Sequence, residues 1–235
     1  MKVIKKLIHT ILSISGFVPE HMTVMRFFFM FSSILIAIFL LPKYKNVDFA
    51  IVYFVCSTVV YIGFIFLVLS ERGLRLKLIK KFGEEKAYLY YEAFLAFAFF
   101  HNGIGLSFIS QSSAGSGLLG TIPETVSLAF FAILFAIGMG TKIWSAYAVG
   151  IPIYYWKDMF LEKKVGDFVV TGPYKYFSNP MYGIGQLQVY AIAIYYDSIY
   201  GLIFGAINQM LVLLFYFMVE KPFIYRTYLE QKTLS

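Results

Sequence analysis

The chain has 235 residues, of which 60% are hydrophobic and 14% charged, with a formal net charge of +7 and a mean hydropathy of +0.73. That composition excludes a soluble domain, which needs a more polar exterior, and predicts one integral membrane protein unit. A single cysteine, Cys56, excludes an intrachain disulfide and reads as a small apolar filler.

In chain order, Ile4, Leu7, Ile8, Ile11 and Leu12 share one helical face, with Lys2, Lys5 and Lys6 elsewhere. The segment 1–24 is therefore predicted as a basic amphipathic helix on the membrane surface. His9, Thr10 and Ser13 interrupt the apolar run and no small-x-small site follows, which argues against a cleaved signal. Six apolar spans come next, at 25–41, 49–69, 88–109, 126–150, 180–196 and 199–219, with Gly150 and Pro152 marking a kink. The basic stretch 72–86 reads either as a surface helix or as a solvated charge run, and "SQSSAGSG" (110–117) as a flexible outer loop. The expected fold is an all-α polytopic bundle of about six transmembrane helices. It divides into the surface segment 1–24, helices and a basic loop over 25–125, and a core over 126–235.

Lysines and arginines crowd the amino terminus, the 72–86 loop, the region 157–175 and the tail, whereas the intervening loops carry only Lys43 and Lys45. This alternation predicts that both termini are cytoplasmic, and it accounts for the positive excess without a nucleic-acid partner. His9, His21 and His101 are scattered and offer no metal spacing. His101 and Asn102, near the middle of the third span, call for interhelical hydrogen bonds. Lys142 in the fourth span needs a partner or solvent, and Glu92 is its natural match in charge.

The stretch "TGPYKYFSNPMYGIGQ" (171–186) separates two apolar runs. Asn179 before Pro180 is a helix-start signal, so the fifth span is expected to begin there. The sixth span then returns Glu220 beside Asn179 and Pro180. A carboxylate, a helix amino terminus and the close-approach glycines Gly183 and Gly185 would suit a zwitterionic ligand. Gly-x-Gly pairs, here 183/185 and 138/140, also serve plain helix packing.

"GPYKYFSNPMY", followed by a helical hairpin and "EKPFIYRTY", resembles the carboxyl-terminal half of integral membrane phospholipid methyltransferases of the phosphatidylethanolamine N-methyltransferase kind. Gly138-Met139-Gly140 is similar to that family's upstream Gly-x-Gly, and the resemblance covers roughly 138–228. The related isoprenylcysteine carboxyl methyltransferases typically carry Arg-His-Pro where this chain has Ser178-Asn179-Pro180. Lys221 stands where a second acidic residue is expected.

The resemblance implies S-adenosylmethionine as cofactor and methyl transfer to a membrane-embedded acceptor at the cytoplasmic face. The expected acceptor is the amine of a phospholipid headgroup, with Lys175 and Lys221 near its phosphate. The alternatives are a prenylcysteine carboxylate acceptor, a nicotinamide-dependent sterol-type reductase, and a non-enzymatic transporter or lipid-binding protein. In the favoured reading Glu220 accepts hydrogen bonds from the cofactor, and amides near Asn179, Pro180 and Met181 hold its carboxylate. Gly138, Gly140, Gly183 and Gly185 make room for it. Tyr174 and Tyr182 either line the site by cation–π attraction or belong to an interfacial belt. Glu92 is the candidate base for deprotonating an amine.

Overall fold

The computed structural model describes residues 2–117 and 123–230, and all the regular structure among them is helical. Helix α1 (Lys2–Ile14) buries Thr10, Ser13 and Ile14 while Val3, Ile4, Leu7, Ile8, Ile11 and Leu12 stay exposed. Its hydroxyl-bearing side meets the protein and its apolar stripe faces outward, the orientation that a helix lying on lipid requires.

Thr23 caps α2 (Val24–Leu35), accepting from the Arg26 amide at 3.2 Å, and a π-helical turn (Ile36–Leu40) follows. Asn46 caps α3 (Val47–Leu69) in the same manner, its Oδ1 accepting from Asp48 and Phe49 amides. The basic stretch forms α4 (Arg75–Phe82), which Gly83 ends at φ +78° before α5 (Glu84–Ser112). Helix α6 (Glu124–Val149) stops at Gly150, whose φ of +82° carries the expected kink into α7 (Ile151–Tyr154) and α8 (Lys157–Leu161). After an irregular stretch come α9 (Leu187–Tyr195) and α10 (Ile199–Phe215). The last rod continues through a π turn (Tyr216–Glu220), α11 (Lys221–Ile224) and another π turn (Tyr225–Leu229).

Four helical runs are long and apolar enough to cross a bilayer: Val47–Leu69, Glu84–Ser112, Glu124–Val149 and Ile199–Leu229. The shorter apolar helices Val24–Phe39 and Ile184–Tyr195 occupy the first and fifth expected spans. Helix α5 is central, with 56% of its apolar window buried against 11% for α6. It packs along α3, where a Cβ on Gly105 would come 3.1 Å from the Phe54 Cα. Helices α6 and α9 approach still more closely, since a Cβ on Gly138 would fall 2.4 Å from the Gln188 backbone nitrogen.

The expected interhelical bonds are present. Asn102 Nδ2 donates to Thr58 Oγ1 at 2.9 Å, and His101 pairs with Ser33 Oγ at 2.9 Å and with the Tyr53 hydroxyl. Cys56 is exposed on the outer side of α3, a small apolar group facing lipid and not a core filler. The 110–117 segment differs from the flexible loop expected. Helix α5 runs to Ser112, and the Gly115 and Ser116 amides donate to the Tyr196 and Asp197 carbonyls at 3.0 Å. Ser113 and Ser198 hydroxyls meet at 2.6 Å, because small residues on both sides let the two turns dock.

Candidate active site

The site begins at the corner between α7 and α8. Trp156 adopts φ +52°, a left-handed conformation uncommon for a bulky residue, and this reversal turns Asp158 inward. Asp158 is 5% exposed. Its Oδ1 accepts from the Met159 amide at 2.9 Å and its Oδ2 from the Tyr228 hydroxyl at 2.9 Å. Burial raises its carboxyl above the usual value of 3.8, against the opposing pull of those two bonds.

The 171–186 stretch supplies the facing wall, but not as a helix start. Asn179 Oδ1 accepts from the Tyr182 amide at 3.2 Å and the Asn179 carbonyl from the Gly183 amide at 3.1 Å. Asn179 thus caps a turn, and α9 proper begins only at Leu187. Gly183, at φ −88° and ψ −103°, leaves the helical region and delays it. The anion-holding amides expected around Asn179, Pro180 and Met181 are correspondingly fewer. Pro180 has no N–H, and those of Tyr182, Gly183 and Gly185 are already committed.

The sixth apolar run does return Glu220 to this turn, where its Oε2 accepts from the Tyr182 hydroxyl at 2.8 Å. Around this pair lies a cavity of about 390 Å³ whose lining includes Trp156, Asp158, Tyr174, Asn179, Met181, Tyr182, Tyr216, Glu220, Lys221 and Tyr228. It combines three carboxyl groups, those of Asp158, Asp167 and Glu220, with Lys221 and several aromatic faces.

A larger cavity, of about 470 Å³, is lined by residues of α3, α5, α6, α9 and α10. Leu95, Phe99, Leu106, Val189 and Val212 make it mainly apolar, while Asn102, Lys142, Gln186, Gln188 and Asn208 add polar groups. Tyr154, Trp156, Met181 and Tyr182 line both cavities and so form a shared wall.

Of the residues singled out in the sequence, Tyr174, Asn179, Met181, Tyr182 and Glu220 therefore come together, with Pro180 and Gly183 in the same turn. Gly185 lets that turn approach α6, where its Cβ would lie 3.8 Å from the Lys142 stem. Gly138 acts in helix packing, and a Cβ on Gly140 would meet nothing within 4 Å. Glu92 stands apart and lines neither cavity. Its partner is not Lys142: Oε2 binds Arg26 Nη1 at 2.7 Å and His21 Nδ1 at 2.6 Å, and Oε1 accepts from Tyr88 at 3.0 Å. Asp158 and Trp156 were not anticipated. The available signal was "YYWKDMF", an aromatic cluster running into an acidic residue just after the kink.

The family model for phospholipid methyltransferases matches residues 126–231. Comparisons with curated proteins and with solved structures give no match. The matched region holds the whole lining of the smaller cavity, from Val149 to Leu229, together with the "GPYKYFSNPMY" and "EKPFIYRTY" segments. Residues 126–231 of this membrane protein are thus similar to the phospholipid methyltransferase family.

Proposed function

We propose that the protein transfers a methyl group from S-adenosylmethionine, held in the smaller cavity, to the amine of a phospholipid headgroup that enters from the larger one. The observation that carries this reading is the shared wall. A cavity that holds Asp158 and Glu220 inside the family-matched region and a larger one that opens among the spans meet at Tyr154, Trp156, Met181 and Tyr182.

The lining of the smaller cavity suits the cofactor's groups. Glu220 and Asp158 have oxygens to accept from an amino group and ribose hydroxyls. The Lys221 ammonium can face a carboxylate, and the rings of Trp156, Tyr174 and Tyr182 can lie against a purine or a sulfonium, the latter contact worth about 0.5–2 kcal/mol. When bound, S-adenosylmethionine supplies an electrophilic methyl on a positively charged sulfur. The chain's own task is then to hold donor and acceptor in line, exclude water and remove one proton. In this reading Tyr182, which donates to Glu220 at the shared wall, takes the ammonium's proton as it gives its own to that carboxylate. Glu92, engaged with Arg26 and His21, is left a structural part.

The lysine and arginine distribution supports a cytoplasmic smaller cavity and cytoplasmic termini. Cysteines introduced at Ser116 and Lys163 should react from opposite sides of sealed vesicles, and labelling of both from one side would overturn that orientation. For the reaction, purified protein receives methyl-labelled S-adenosylmethionine with either phosphatidylethanolamine vesicles or a farnesylated cysteine analogue. Label is expected in the phospholipid. Label in the cysteine ester alone would refute the acceptor, and folded protein without saturable binding of the labelled donor would refute the cofactor.

A further inference from the structure

The larger cavity is lined by a lysine, Lys142, that has no counter-ion among the described residues. Lys142 is 9% exposed on α6, and its Nζ lies 5.5 Å from the Phe99 ring centroid. No carboxylate among the described residues is within ion-pair distance of it. An ammonium between apolar walls at membrane depth is costly unless an anion or water joins it. A cation–π contact offsets only part of that cost.

Two further groups in the same cavity point to a ligand independently. Asn208 Oδ1 and Gln188 Oε1 are buried acceptors without a donor among the described residues, and Asn208 is 4% exposed. Buried acceptors are rarely left unpaired. The cavity therefore offers an ammonium with no carboxylate partner among the described residues and, just behind its mainly apolar wall, two unpaired acceptor oxygens, the complement of an anion that carries N–H or O–H donors and hydrocarbon chains. A phospholipid with an amine or hydroxyl headgroup has this composition.

We propose that Lys142 binds the phosphodiester of the lipid acceptor, with the Asn208 and Gln188 oxygens accepting from its headgroup donors. The close approach of the Lys142 stem to Gly185 sets this phosphate site beside the 179–186 turn, and so near Tyr182. Lys175 and Lys221 are then not needed for the phosphate. Lys175 is exposed over the Tyr176 ring, and Lys221 lines only the smaller cavity. The inference rests on the methyltransferase reading only in calling this lipid the acceptor.

The test measures lipid binding without turnover. Full-length protein in mixed micelles is titrated with dioleoyl phosphatidylethanolamine and, separately, with dioleoylglycerol, which has the same chains but no phosphate. Wild-type protein is expected to prefer the phospholipid by at least about tenfold, a preference that Lys142→Met reduces to near parity and Lys142→Arg largely restores. Thermal unfolding of both variants serves as the folding control. A Lys142→Met protein that is folded and keeps the preference would overturn the assignment, as would a wild type that shows none. Loss of the preference on adding millimolar inorganic phosphate would give the lysine to a free anion and refute the lipid site. Phospholipid binding through Lys142 without any methyl transfer would sustain this site while removing the catalytic reading.

Discussion

Glu92 with Arg26, His21 and Tyr88, and His101 with Ser33 and Tyr53, are polar groups within the amino-terminal helices that close on one another and line neither cavity. In the family-matched region, on both sides of the kink, Asp158, Glu220, Lys142, Gln188 and Asn208 instead line cavities. The two halves contain the same kinds of residue at similar burial, so burial alone does not separate scaffold from site. What separates them is whether a buried charge is paired with an opposite charge of the protein, as Glu92 is with Arg26, or lines a space a molecule can enter, as Lys142 and Glu220 do.

The comparison breaks most visibly if the closed set is opened. Arg26 is fully buried and also donates from Nε to the Gly16 carbonyl at 2.7 Å. Arg26→Met leaves Glu92 as a buried charge facing only His21 and Tyr88. It should cost about 3–5 kcal/mol of stability, seen as a large drop in unfolding temperature in detergent. A change within error would mean that this cluster is solvated like a surface pair.

Glu220→Gln should behave in the opposite manner, leaving the fold intact and weakening S-adenosylmethionine binding at least tenfold, for a charged hydrogen bond worth about 1.5–3 kcal/mol. Glu230→Gln removes the same charge outside the cavity lining and is the control. Equal losses in the two variants would remove Glu220 from the site.

Gly138 and Gly140 sharpen the distinction between packing and site. Gly138→Ala drives a methyl into the α9 backbone at 2.4 Å and should cost about 1–3 kcal/mol, whereas Gly140→Ala meets open space and should not destabilise. Equal thermal shifts would refute the contact between α6 and α9.

The smallest expected effect concerns pH. Because the folded Asp158 carboxyl holds its proton above 3.8, the ligand-free folded state binds more protons than the unfolded chain just above that value. Stability from this group therefore falls as pH rises from 3.8 through the raised folded value, and stays lower beyond it. Asp158→Asn should gain stability relative to wild type across that window while binding S-adenosylmethionine less well. A stability advantage that grows toward acid pH would contradict the assignment.

Much of the site could be read without coordinates because hairpin length is a simple geometric quantity: the rise of two consecutive apolar runs returned Glu220 to the Asn179 turn. The membrane bundle was legible for the same reason, from apolar length and breakers. Other features depend on backbone choices that residue type does not announce. Trp156 gives no sign of the left-handed conformation that brings in Asp158. Gly183 and Pro180 looked compatible with a helix start, but together they hold the chain in a turn until Leu187. Nothing in the residue type of Arg26 announces that it neutralises Glu92, a pairing that depends on the folding of 15–23 beside α5.

The π turn at Tyr216–Glu220 makes residue number, as well as residue type, part of the site. Such a turn accommodates one residue more than an α turn over the same rise. Remove one residue from 216–219 and the ladder can close as ordinary α-helix with Glu220 kept where it stands, but a second deletion has no extra residue to absorb it and brings Lys221 to that position. A change of length without any change of chemistry would thereby exchange a carboxylate for an ammonium opposite Tyr182, and the helix would return on schedule carrying the wrong charge.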